Sequence, residues 1–233
     1  MTTRHVLDDY FYFLMSFLIV LIVVYGFSHT IDRNLLHPAI PRPFILYIHA
    51  AVFTGWLGFF ILQSSLVRTR NVRMHRAVGW FGLVMGGLMP ILGVATAISM
   101  GRFDALQLHQ ADAEVNLIIP LFDMVVFGSA FALAMYWRKR PEYHRRLIFV
   151  ACCALTAAAF GRFPEHILPP VLFYGGVDLL ILLGVARDLV VNVGLHSVYR
   201  YAIPAIVLGQ IVVMYTVTHN VSAWLRIAHA ILT

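Results

Sequence analysis

Six ionisable residues, His49, Asp123, Arg162, His166, Asp178 and His219, lie inside or at the edges of long apolar stretches of this chain. Their types limit the chemistry they could do. Imidazoles with carboxylates suit zinc, iron or copper, and two imidazoles from facing helices can ligate a b-type haem. The same groups can instead carry protons, because an ionisable residue in hydrocarbon is costly and is kept where a partner, an ion or a function compensates. At about 1.5 Å per residue, all six fall within about 12 Å of the same membrane face. His49 stands in the apolar run FILYIHAAVF, so its partner must come from another helix. A structural reading stays open beside these, with Asp123 or Asp178 paired to Arg162 and the histidines bonded at headgroup level.

The elements that must position such a layer are membrane helices. Of 233 residues, 61% are hydrophobic and 12% charged, whereas soluble domains carry about a quarter charged residues. Spans are expected at 11–28, 44–67, 77–100, 116–137, 147–168, 171–188 and 201–222, which leaves no room for a separate soluble domain. The chain therefore reads as one all-α domain, 1–233, a polytopic bundle of seven transmembrane helices. Arg68, Arg70, Arg73 and Arg76 crowd one loop and Arg138, Lys139, Arg140, Arg145 and Arg146 another, so the positive-inside rule puts the N-terminus in and the C-terminus out. That clustering makes anionic lipid headgroups the partner of the net charge of +6 and argues against nucleic acid. The first span reads as a retained anchor, with acidic Asp8 and Asp9 before it and no small-x-small cleavage site after it. Cys152 and Cys153 are adjacent within a span, a geometry that opposes a disulfide.

The two basic loops share a pattern. Arg70 and Lys139 each stand five residues before a His-Arg pair, His75-Arg76 and His144-Arg145, which suggests a tandem hairpin repeat over 44–100 and 116–168. Glycines on span three and alanines on span five make small-residue faces expected at the bundle centre. On a continuous fifth span His144, Arg162 and His166 would share one face. His75 and His144 could meet across spans three and five as haem ligands, or simply serve the membrane boundary. Among weaker candidates, His109, Asp112 and Glu114 have metal-compatible spacing in a loop, Gln63 and Gln210 could bond between helices, and the Tyr215 phenol could orient His219. The single lysine, Lys139, lies in a loop, and no phosphate-binding loop or nucleophile elbow is present.

The segments IHAAVFTGWLGFFILQSSLVRTRNVRMHRAVGWFG and RPEYHRRLIFVACCALTAAAFGR resemble an uncharacterised family of bacterial polytopic integral membrane proteins, a domain of unknown function, over roughly residues 44 to 165. The resemblance implies a helical bundle in the bacterial inner membrane and singles out His49, Gln63, His75, Arg76, Gly79, His144, Arg145 and Arg162. A looser similarity is to transmembrane b-type cytochromes, with His49, His75 and His144 as haem ligands; Asp123 then stands where a fourth imidazole would be needed. The expected centre is an outer-leaflet site in which His49, Asp123, His166, Asp178 and His219 ligate a metal for redox chemistry; for a b-type haem the expected cofactor-binding residues are His49 and Arg162, with His75 and His144 at the inner ends of their helices. The competing classes are a proton-coupled transporter and a structural subunit of a larger membrane complex, and the sequence leaves open whether the protein is an enzyme.

Overall fold

The computed structural model describes residues 3–192 and 194–233. Its helices are α1 (Thr3–Ser28), α2 (Phe44–Arg68), α3 (Val72–Leu106), α4 (Ala113–Asn116), α5 (Ile118–Tyr136), α6 (Pro141–Ala154), α7 (Ala157–Phe160), α8 (Phe173–Asn192), α9 (Ser197–His219) and α10 (Ser222–Leu232). Seven segments among the described residues are helical, long and apolar enough to cross a membrane. Short loops make successive spans antiparallel. Asp8, Arg68, Arg145 and Arg187 therefore gather at one end, here the basic end, and His49, Asp123 and Asp178 lie toward the other.

The packing partners follow the chain as hairpins: α2 lies on α3, α3 on α5, and α5 on α6. Of the two spans expected at the centre, only α6 is enclosed on all sides. Every residue from Arg146 to Ala154 except Ile148 is buried. α3 packs one face and leaves Trp80, Phe81, Val84, Leu88 and Ile91 exposed, because its glycines serve close contacts on that one face alone. A Cβ at Gly82 would lie 2.3 Å from the Phe59 ring, one at Gly86 2.4 Å from Phe131, and one at Gly93 2.2 Å from Met124. In lipid, such contacts and not water exclusion hold helices together.

The ends differ from the sequence-based spans in ways that matter for the site. α3 is 35 residues long, about 50 Å at 1.5 Å per residue, so it outruns the hydrocarbon and carries Asp104 to Arg42 at 3.6 Å. The fifth span stops at Phe160 instead of continuing to 168. Thr156 Oγ1 turns back onto the Cys153 carbonyl at 2.6 Å, the next bonds tighten to three-residue steps, and Gly161 and Pro164 follow. The expected shared face of His144, Arg162 and His166 is thereby lost, since the helix ends before the latter two. The sixth span runs on to Asn192, which draws Arg187 and Asp188 into the helix. α10 lies against α3 and α4, with the Trp224 indole donating to the Glu114 and Val115 carbonyls at 3.2 Å each.

At the start of α9, His196 Nδ1 accepts the Val198 N–H at 3.2 Å and caps the helix. Burial, and then the positive charge of Arg146, lowers the pKa of this imidazole below the usual histidine value. A depressed folded pKa means that the unfolded chain binds the extra proton more readily, so the contribution is present at neutral pH and lost as pH falls through about 6.5 and below. The difference in thermal midpoint between wild type and His196→Ala should therefore shrink when unfolding is followed from pH 7.5 down to pH 5.

Candidate functional site

The strongest polar feature at the end opposite the basic loops is built by α5, α8 and α9. Asp123 sits one turn into α5 and is only 8% exposed. The Tyr174 hydroxyl, from the first turn of α8, donates to its Oδ1 at 3.1 Å. One turn further along α8, Asp178 Oδ1 accepts from Gln210 Nε2 of α9 at 2.9 Å. The bond from Gln210 is the interhelical one its position suggested. Tyr174 and Asp178 stand four residues apart and so share a helix face, which joins the two carboxyls into a row, Asp123, Tyr174, Asp178, Gln210. Both carboxyls are bonded to neutral side chains, and among the described residues neither has a cation within ion-pair distance.

Arg162 takes no part in that row. Its guanidinium donates to the Ala158 carbonyl and lies 4.4 Å over the Phe27 ring, so the expected pairing with Asp123 or Asp178 is absent. His49 stacks on Phe53 with ring centroids 3.9 Å apart, and its Nδ1 is buried with no hydrogen-bond partner. His166 is exposed in the segment after α7, and His219 is exposed at the end of α9. His219 Nδ1 bonds the Tyr215 carbonyl at 3.1 Å; the two rings stack at 4.2 Å, and the phenol does not orient the imidazole. The expected layer is thus divided into a carboxyl row, a stacked His49, an Arg162 on the Phe27 ring and two surface histidines. Among the described residues no group of three or more His, Cys, Asp or Glu side chains could hold a metal ion.

The weaker loop candidates are occupied with one another's surroundings. Glu114 bonds His229 Nδ1 at 2.8 Å, and Asp112 accepts from Asn116 at the same distance.

A second polar centre, unforeseen in the sequence, lies at the basic end. Arg146, 1% exposed, grips Asp188, 0% exposed, with Nε and Nη2 both at 2.7 Å. Its third nitrogen donates to the Glu142 carbonyl at 2.6 Å. Arg187 donates to Asp188 at 2.6 Å and also bonds Asp8 of α1, which Arg145 approaches at 3.4 Å. In sequence Arg146 belongs to a basic loop whose arginines report topology; the signal for its pairing is Arg187-Asp188 at the end of an apolar helix.

The remaining candidates meet between the hairpins. His75 of α3 and His144 of α6 face each other edge to face with centroids 6.4 Å apart, so the expected meeting of these two rings does occur. No family model, curated protein or solved structure matches the chain.

Proposed function

We propose that this protein is a proton-coupled membrane transporter in which Asp123 and Asp178 carry the protons. The observation that supports this reading is the bonding of both carboxyls, inside membrane spans, to a phenol and an amide, with no cation within ion-pair distance among the described residues. A carboxyl held by neutral donors in such surroundings can bind and release a proton, whereas one locked to arginine is a fixed structural charge. The contrast is internal to the molecule, since Asp188 at the other end is held by two arginines. Tyr174 links the row by donating to Asp123 while standing one turn from Asp178. The reading places the chain in the bacterial inner membrane with its basic end in the cytoplasm, so that the carboxyl row opens toward the outer face.

Reconstitution tests this. Liposomes holding the purified protein should take up a solute from a screened panel when an inward proton gradient is imposed. Asp123→Asn and Asp178→Asn should each reduce uptake to the level of empty liposomes, while His109→Ala should leave it unchanged. A parallel infrared titration should show a protonated-carboxyl band that Asp123→Asn removes. Equal uptake by wild type and the double Asn variant would refute the assignment.

A further inference from the structure

Each ring of the His75 and His144 pair has a nitrogen left over. His144 Nδ1 bonds the Ala134 carbonyl, ten residues back on α5, at 3.0 Å. The Gln63 carbonyl, twelve residues back on α2, lies beside His75, whose Nδ1 is buried without a partner. A carbonyl only accepts, so the bonded nitrogen carries the hydrogen and the other presents a lone pair. That is the arrangement of a metal-ligating histidine, whose second nitrogen is fixed by donation to a carbonyl or carboxylate. His144 has it, and the ring it faces, His75, offers a buried nitrogen that is free. With metal–nitrogen bonds of about 2 Å, two imidazoles in line with one ion have centroids about 6 Å apart, close to the 6.4 Å found.

A third donor is at hand. Both side-chain amide atoms of Gln63, the residue whose carbonyl lies beside His75, are buried and unpartnered. Leaving such atoms unsatisfied costs about 1–3 kcal/mol each. Two imidazoles and an amide supply no negative charge, and Arg76 and Arg145 adjoin the two histidines in sequence, so an ion of low charge is favoured over a divalent one.

We propose that His75 and His144, with the Gln63 amide oxygen, form a transition-metal site between α2, α3 and α6 that takes copper(I). The site lies at the end opposite Asp123 and Asp178 and stands independently of their role. Anaerobic titration of untagged, chelator-stripped protein with copper(I), in competition with a chromophoric copper(I) chelator, tests it. One ion per chain is expected, with X-ray absorption showing two or three nitrogen or oxygen ligands. His75→Ala and His144→Gln should each abolish stoichiometric binding, and His109→Ala should retain it. The His144→Gln side chain can still donate to the Ala134 carbonyl, so lost binding at an unchanged melting midpoint separates ligation from unfolding. Absence of binding by wild type, or undiminished binding by the double variant, would overturn the site.

Discussion

Arg146→Ala should lower stability by about 3–5 kcal/mol, the usual cost of removing one partner of a buried ion pair. Arg146 and Asp188 are effectively sealed from solvent, and three of the guanidinium's hydrogens are spent on Asp188 and the Glu142 carbonyl. Without Arg146, Asp188 keeps Arg187 but loses its two-pronged partner in a site closed to solvent. Arg146→Lys should recover only part of the loss, because an ammonium group cannot make the fork. Replacing both partners, Arg146→Met with Asp188→Leu, should cost much less than either single change, since buried pairs exchanged for apolar residues of similar volume are often neutral. Unfolding of the detergent-solubilised protein, run as a double-mutant cycle, measures the difference. Additive single effects would show that the two residues act separately.

The helices were legible because hydropathy over about 20 residues is a strong signal, and each expected span overlaps an observed one. Their ends were not, and the site turns on ends. Periodicity carries on through LTAAAFGRF because small and apolar residues satisfy it, while the Thr156 turn and Gly161 end the helix and leave His166 outside. At the other boundary, four more residues of α8 turn Arg187-Asp188 from a loop edge into the middle of a buried network. Depth was legible for Asp123 and Asp178, but their partners were not, because a tyrosine such as Tyr174 is unremarkable in a membrane sequence. That His75 and His144 could meet was open in the sequence, since both begin their helices at the basic end, and so was a role at the membrane boundary. The spare nitrogen of His144 emerges only from the Ala134 carbonyl that its other nitrogen engages.

Gly26→Val should destabilise the bundle by about 3 kcal/mol or more, at the upper end of overpacking effects. A Cβ at position 26 would lie 2.3 Å from the Ala159 carbonyl oxygen, 2.8 Å from its carbon and 2.9 Å from its Cα. All three atoms are backbone, so no rotamer change relieves the overlap and α1 must move away from α7. Even Gly26→Ala should suffer, which reverses the ordinary gain of roughly 0.5–1 kcal/mol from putting alanine for glycine inside a helix. Gly58→Ala and Gly79→Ala provide the comparison, because nothing lies within 4 Å of a Cβ at either position; both should be neutral or stabilising. The displacement would also reach the polar end. Phe27, the next residue, lies beneath the Arg162 guanidinium. A shift of α1 should therefore perturb that guanidinium, read as a change in its side-chain resonances by NMR of selectively labelled protein, with Gly79→Ala leaving them in place. Equal thermal midpoints for Gly26→Val and wild type would mean that α1 and α7 do not touch.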